Sequence, residues 1–183
     1  IELGAGIGIT TMQIRRKTNK SIITLEPDKI SLDALKANIK LNDLNYDLKI
    51  INKGIGYEEK NVLFKSYDMF LDNHIQDKNT YSKKRWKLRG EYLLETIKLR
   101  QLIVEYNLKK YQLVCDIEGK ELDIIKSGDI DPNFCKLIII ELHSAINKNK
   151  LFKPNDQINL IKDLGFKIIY KSFNQLVFEP IAK

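Results

Sequence analysis

The stretch IELGAGIGITTM, residues 1–12, decides the fold of this chain. A short apolar strand runs into three glycines at alternate positions, Gly4, Gly6 and Gly8, and a helical pattern follows. Glycine lacks the Cβ that would keep a ligand away from the backbone, and the helix presents unpaired N–H groups and the positive end of its dipole. The stretch therefore predicts a strand–turn–helix unit that binds a ligand at its turn.

The spacing of the glycines separates two classes of ligand. The dinucleotide fingerprint G-x-G-x-x-G requires a small residue at the position where this chain has Ile9. This disfavours a NAD-dependent oxidoreductase, which stays an alternative. The form that is present, E-x-G-x-G-x-G beginning at Glu2, resembles the first motif of the Rossmann-like methyltransferases that depend on S-adenosylmethionine (SAM).

A second short apolar strand lies in SIITLEPD, residues 21–28, and ends at Glu26, 22 positions after Gly4. In βαβ nucleotide sites, an acidic residue at about this offset binds the ribose hydroxyls. A carboxylate suits that role because it can accept two hydrogen bonds from a vicinal diol. Asp28 is the better N-cap for the following helix, so we assign Glu26 to a ribose rather than to the helix start.

Strands and helices alternate along most of the chain, which predicts an α/β fold with a mostly parallel, doubly wound sheet. Two last strands separated by three residues predict a C-terminal antiparallel hairpin. We expect Ile9 and Met12, with Arg16 as a further candidate, to mark one face of the first helix. The predicted helices are 9–19, 28–42, 96–108, 118–128 and 156–164, and the predicted strands include 46–56, 61–66, 111–116, 135–144, 166–171 and 175–180.

Composition and length favour a single domain over residues 1–183. The chain does not begin with Met and only three residues precede the glycine turn, so we expect it to lack an N-terminal part. No apolar run approaches the roughly 18 residues of a membrane span. Cys115 and Cys135 are too few for a disulfide scaffold or a metal framework, so we expect free buried thiols in a reducing cytoplasm.

Residues 66–92 break the alternation of strands and helices, and we interpret them as an insertion or lid. Basic residues surround Trp86 there, and Tyr81 and Tyr92 lie nearby. With a net charge of +7, this segment could hold a nucleic-acid strand by phosphate contact and base stacking, as an RNA methyltransferase would require. A solvated charged face and a lid over a substrate pocket are the other interpretations. The basic residues are Lys83, Lys84, Arg85, Lys87 and Arg89.

Four strand ends carry ionisable side chains that should meet at one edge of the sheet, because ligands bind beyond the carboxyl ends of parallel strands. These ends hold Glu2, Glu26, the pair Asp116 and Glu118, and the pair Glu141 and His143. The order of a GxGxG-type loop, then EP, then DIEGKE from Asp116, then ELH from Glu141 resembles the FkbM family of SAM-dependent methyltransferases. The resemblance covers nearly the whole chain, apart from residues 66–92.

The resemblance implies a cofactor, SAM, and an acceptor, a hydroxyl on a sugar or a polyketide-like small molecule. It implies that the glycine turn passes close to the methionine part of SAM, that Glu26 takes the ribose and that Ile55 lies beside the adenine. The oligomeric state does not follow from it. The cofactor-binding residues expected on this basis are Glu2, Gly4, Ala5, Gly6, Gly8, Glu26, Pro27, Ile55 and Asp116.

Methylation of an aliphatic hydroxyl needs a base that accepts its proton. Asp116 is the first candidate for that catalytic residue, followed by Glu118 and His143. Asp116 could instead contact only the amino group of the methionine part, Glu118 could serve the start of its helix, and His143 could be structural. These residues and Glu141 could also bind a divalent ion, but the resemblance gives no reason for one and we expect no metal. A binding module without activity stays open.

Overall fold

The structure is a computed structural model that describes residues 1–57, 60–67, 74–75 and 87–182, with residues 74–75 described by backbone alone. The helices in these ranges are α1 Ile9–Lys17, α2 Lys29–Leu41, α3 Leu99–Glu105, α4 Glu121–Ser127 and α5 Pro154–Asp163. The strands are β1 Glu2–Leu3, β2 Ile22–Leu25, β3 Leu48–Ile51, β4 Gly54–Ile55, β5 Asn61–Tyr67, β6 His74–Ile75, β7 Leu88–Ile97, β8 Tyr111–Cys115, β9 Cys135–Glu141, β10 Ala145–Asn147, β11 Lys150–Phe152, β12 Phe166–Ser172 and β13 Gln175–Pro180.

A seven-stranded sheet in the order β12-β13-β9-β8-β1-β2-β3 forms the centre of the molecule. The strands from β9 to β3 run parallel to one another, whereas β13 pairs antiparallel with both β9 and β12. The prediction of an α/β fold with a large, mostly parallel sheet is therefore confirmed. Because β1 lies between β2 and β8, the glycine turn that follows it stands at the middle of the carboxyl edge.

The predicted helix over residues 28–42 is confirmed as α2, and its apolar spacing explains its packing. Leu32, Leu35 and Ile39 are buried at intervals of three and four, as one face of an α-helix requires. Asp28 caps the helix by accepting a hydrogen bond from the backbone N–H of Ser31 at 2.9 Å. This cap fixes the direction in which the chain leaves β2.

The buried face of α1 differs in part from the predicted face. Met12 packs partly buried against the side chains of α2, but Ile9 is 55% exposed, and Thr11 and Arg15 are buried instead. The Thr11 hydroxyl donates to the Glu2 carboxylate at 2.6 Å, and the Arg15 guanidinium donates to backbone carbonyl oxygens, including that of Asp47 at 3.0 Å. Polar residues occupy this face because they find hydrogen-bond partners there.

A second sheet, in the order β4-β7-β5-β6, stands beside the first. Strands β5 and β7 form a long antiparallel pair, and Gly54 and Ile55 of β4 add to β7 in parallel. In the segment 66–92, residues 66–67 belong to β5 and residues 88–92 belong to β7. Most of the remainder, including Tyr81 and Trp86, lies outside the described residues, so the insertion or lid stays a prediction. In the described part of the chain, no helix is both long and apolar enough to span a membrane.

Candidate functional site

A cavity opens at the carboxyl ends of β1, β2, β4 and β8. Its lining comes from the glycine turn, the turn after β2, the second sheet and the turn after β8. The sequence analysis predicted ligand-binding residues on each of these segments. Within the second sheet, it predicted Ile55 of β4 but not Phe64 of β5. One cavity thus joins most of the predicted cofactor-binding residues, all except Glu2 and Gly8, to the predicted catalytic pair Asp116 and Glu118.

The glycine turn forms one wall of the cavity, and its glycines serve different purposes. A Cβ on Gly4, whose φ is +82°, would overlap the carbonyl oxygen of Asp116, so only glycine lets β1 and β8 stay this close. A Cβ on Gly6 would meet no protein atom within 4 Å, which shows open space beside the turn. Gly4, Ala5 and Gly6 line the cavity, whereas Gly8 lies against Leu35 of α2 and not at the cavity wall.

Glu26 is the acidic residue of the β2 side, and it is only 5% exposed. Its Oε2 accepts the N–H of Gly6 at 2.6 Å and its Oε1 accepts the N–H of Asp28 at 2.8 Å. Burial raises the pKa of Glu26 to about 8, although these two hydrogen bonds lower it. In the ionised form each oxygen keeps a further lone pair, so the carboxylate can still accept hydrogen bonds from a ligand in the cavity. Such hydrogen bonds favour the ionised form and would lower the pKa when the ligand binds.

Glu2 lies beneath the glycine turn rather than at the cavity wall. Its side chain is 1% exposed, and its Oε2 accepts hydrogen bonds from the hydroxyls of Thr11 at 2.6 Å and Thr24 at 2.7 Å. Burial raises the pKa of Glu2. Among the described residues its Oε1 has no hydrogen-bond partner. Glu2 therefore connects α1 to β2 under the turn.

The turn after β2 is held by two side chains that the sequence analysis did not identify as part of the site. Asn52 donates to the carbonyl oxygens of Glu26 at 2.8 Å and Pro27 at 3.0 Å. The hydroxyl of Tyr92, on β7, also donates to the Pro27 carbonyl oxygen, at 2.9 Å. Both contacts link residues distant in sequence, so no local pattern could reveal them.

The second sheet gives the cavity its apolar wall. Ile55 of β4 is 4% exposed and lines the cavity, where the sequence placed it. Phe64 of β5, 1% exposed, also lines the cavity and is a further residue that the sequence analysis missed. Pro27 contributes from the opposite strand end. Flat apolar surfaces of this kind suit a planar ring.

The turn after β8 has an unusual backbone. Glu118 has a φ of 52° and Gly119 a φ of 106°, so two successive residues lie in the left-handed region. For a residue other than glycine this conformation costs about 1 kcal/mol or more and is typical of functional sites. The buried carboxylate of Glu121 holds the turn by accepting the N–H groups of Ile117 at 3.1 Å and Gly119 at 3.0 Å.

His143 joins the turn after β8 from the end of β9. Its Nδ1 lies 3.1 Å from Glu121 Oε1, and its Nε2 lies 3.4 Å from Glu118 Oε2 and 3.9 Å from Glu141 Oε1. Burial lowers the pKa of His143, but the hydrogen bond to Glu121 and the surrounding carboxylates outweigh burial and set it to about 9. The imidazole is therefore charged at neutral pH and paired with carboxylates.

The two carboxylates that line the cavity on the β8 side, Asp116 and Glu118, have raised pKa values. Loss of solvent, and secondly the charge of Glu141, raise the pKa of Asp116 to about 6. Loss of solvent raises the pKa of Glu118 to about 7, against the opposing charge of His143. Near neutral pH, Asp116 is mostly ionised and Glu118 exists in both forms. Acid–base catalysis requires groups that titrate in this range.

One ligand atom from each of Asp116, Glu118 and His143 lies within 4.8 Å of the others, so the three residues could hold a metal ion. Both nitrogens of the His143 ring already face carboxylates. An ion pair between His143 and these carboxylates therefore explains the cluster more simply than a metal ion does. The sequence predicts no metal here. The structure brings all three predicted catalytic residues together, with Glu121 and Glu141 at their edge.

Known proteins resemble this chain in sequence family and in fold. Residues 2–168 match the family model of the methyltransferase FkbM domain. The methyltransferase FkbM of Methylobacillus flagellatus superposes with a TM-score of 0.57 at 15% identity, over 97% of this chain and 42% of that one. EvdMO1 superposes with a TM-score of 0.50 at 9% identity, over 98% of this chain and 36% of that one. The chain thus spans less than half of either protein. No curated protein shows significant similarity in sequence.

Proposed function

The chain belongs to the methyltransferase FkbM domain family, and on that premise we propose that it uses SAM to methylate a hydroxyl group of a small molecule. The observation that supports this most strongly is the single cavity lined by both the glycine turn and Asp116. Donor and acceptor must meet in one space for a direct transfer. We assign the fold to the Rossmann-like class I methyltransferases, with the pair β12–β13 as its C-terminal hairpin.

The residues around the cavity fit SAM. The open space beside Gly6 leaves room for the methionine part along the backbone of Gly4 and Ala5. Glu26 can accept hydrogen bonds from the two ribose hydroxyls, and the apolar surfaces of Pro27 and Ile55 suit the adenine. SAM supplies a methyl group that is bound to a positively charged sulfur. Glu2 and Gly8 contribute indirectly, by fixing the turn.

We assign the base to Asp116. It faces the cavity, and with a pKa of about 6 it is ionised at neutral pH and can accept the proton of a hydroxyl. The pKa of His143 is about 9, so its imidazole is protonated at neutral pH. The charged ring can hold Glu118 in place and offset the negative charge of the surrounding carboxylates. Glu118, also at the cavity wall, can orient a neighbouring hydroxyl of the acceptor.

An acceptor rich in hydroxyls, such as a sugar or a polyketide-like compound, matches two carboxylates at the cavity wall. RNA is the less suitable acceptor, because Tyr92, one of the aromatic residues that suggested it, is engaged with Pro27. We propose that transfer needs no metal ion. The two cysteines are free and buried, which supports our placement of the enzyme in the cytoplasm.

The direct test is transfer of a labelled methyl group from SAM to a panel of sugars and polyketide-like alcohols, with and without EDTA. We expect labelled product from a hydroxylated acceptor, at the same rate in EDTA. Labelling of RNA instead, or of none of these acceptors, would contradict the proposed acceptor class. Loss of transfer in EDTA, restored by a divalent ion, would show that the cluster at Asp116 binds a metal.

A further inference from the structure

Tyr92 belongs to the segment whose aromatic and basic residues suggested nucleic-acid binding, yet the structure gives it other partners. Its hydroxyl donates to the Pro27 carbonyl oxygen at 2.9 Å and accepts the backbone N–H of Lys29 at 3.1 Å. Its ring lies 5.4 Å from the ring of Phe64, centroid to centroid, and the Lys29 Nζ lies 4.9 Å from its centroid. The hydroxyl thus contacts the turn after β2, and the ring contacts both Lys29 of that turn and Phe64 of the apolar wall.

These contacts enclose the turn that presents Glu26. Pro27 and Lys29 flank Asp28, whose N–H donates to Glu26 Oε1 at 2.8 Å. A bridge between Pro27 and Lys29 therefore limits how far the Asp28 N–H can move, and with it the Glu26 carboxylate. Asn52, the residue after β3, donates to the same Pro27 carbonyl oxygen at 3.0 Å. The turn is thus fixed from both sheets at once.

The Tyr92 ring also supports the apolar wall of the cavity. Phe64 stands directly across from Tyr92 in the β5–β7 pair, and the two rings are tilted by 45°. Glu95, on the same strand, forms an ion pair with Lys53 of the cavity lining at 3.0 Å. Two residues of β7, Tyr92 and Glu95, therefore contact residues that line the cavity. Of these two, Tyr92 contacts the turn after β2.

We propose that Tyr92 is a positioning residue of the cofactor site, which holds both the Glu26 turn and Phe64 where the adenosine part of the ligand binds. This inference rests on the proposed function. Burial raises the pKa of Tyr92 to about 12, so the hydroxyl keeps the proton that it donates to Pro27 throughout the neutral range. The role assigned here is to position other groups, and Tyr92 takes no part in the chemical step.

The test compares Tyr92→Phe with the wild type by calorimetric titration with S-adenosylhomocysteine and, separately, with adenosine. Tyr92→Phe keeps the ring and removes only the hydroxyl. We expect Kd to rise about 10-fold for both ligands, as loss of one or two ordering hydrogen bonds would give. The matched control is Tyr170→Phe, on β12 at the far edge of the large sheet, for which Kd should stay within about twofold.

A double-mutant cycle with Glu26→Gln separates positioning from a general loss of stability. If Tyr92 acts through the Glu26 turn, adding Tyr92→Phe to Glu26→Gln should raise Kd much less than it does in the wild type. Equal effects in the two backgrounds, or a Kd for Tyr92→Phe within about twofold of the wild type, would overturn the role. A folded wild type that binds neither ligand would overturn the proposed function as well.

Discussion

The two sides of the cavity are built differently, although each presents carboxylates at a strand end. On the β2 side, both oxygens of the almost fully buried Glu26 are held by backbone N–H groups. On the β8 side, Glu118 and His143 face each other through side chains that are 30% and 25% exposed. A backbone-held carboxylate is preorganised for binding, whereas partly exposed, coupled groups can change protonation. Changes on the first side should alter affinity, and changes on the second should alter the rate of methyl transfer and the pH dependence of that rate.

The largest effect is expected at Gly4, where the two sides meet. In Gly4→Ala the new Cβ would overlap the Asp116 carbonyl oxygen at a positive φ, so we expect about 4 kcal/mol or more of lost stability. Urea denaturation measures it. The control is Gly90→Ala, because a Cβ at Gly90 meets nothing within 4 Å, and its stability should change by less than about 1 kcal/mol. Equal stability of the two variants would show that the sides are not in contact here.

The next effect concerns rate on the β8 side. Asp116→Asn removes the proposed base, so we expect the rate of methyl transfer to fall about 100-fold or more, equivalent to about 2.7 kcal/mol. The affinity for S-adenosylhomocysteine should change little, because Glu26 and the glycine turn remain. Asp163→Asn, at the end of α5, is the control. If Asp116→Asn instead kept the wild-type rate of methyl transfer and bound S-adenosylhomocysteine more weakly, Asp116 would be a cofactor-binding residue and not the base.

On the β2 side, Glu26 should make stability depend on pH. Its folded pKa of about 8 is above the unfolded value of 4.5, so the folded state holds the proton more tightly between these values. Stability should therefore fall as pH rises through this window, at a slope of up to about 1.4 kcal/mol per pH unit for this group alone. Urea denaturation at several pH values should show a shallower fall for Glu26→Gln. An identical fall in the variant would mean that Glu26 ionises normally.

The smallest effect is a shift in the pH profile of methyl transfer. The rate should rise with pH as Asp116 ionises, around pH 6. Glu141→Gln removes a negative charge that raises the pKa of Asp116, so the rising limb should move to lower pH by about half a unit. Glu179→Gln, whose carboxylate pairs with Lys167, should leave the profile in place. A move of the limb toward higher pH in Glu141→Gln would contradict this electrostatic account.

Local patterns were sufficient for much of the fold and for the predicted strand ends. The apolar spacing of α2 and the nearly continuous apolar run of β9 each follow from a few neighbouring residues. The strand ends at Glu26 and Asp116 follow from the same reasoning, since parallel strands must bring their carboxyl ends together.

What the sequence did not reveal depends on long-range pairing. The predicted strand 46–56 divides into β3 and β4, because Gly54 and Ile55 leave the large sheet to pair with β7. The hydrogen bond from Tyr92 to Pro27 joins residues 65 positions apart. The sequence also did not reveal the contact of Glu121 with His143, because that contact requires β9 to lie beside β8.

The central claim is that the β2 side binds the adenosine part of SAM, and one titration tests it most directly. Calorimetric titration of the wild type with S-adenosylhomocysteine and with NADH, repeated on Glu26→Ala, should show binding of S-adenosylhomocysteine alone. Kd for S-adenosylhomocysteine should be at least about 10-fold higher in the variant, because the two proposed hydrogen bonds from the ribose hydroxyls to the Glu26 carboxylate are lost. Binding of NADH, or equal binding of S-adenosylhomocysteine by Glu26→Ala, would contradict the claim.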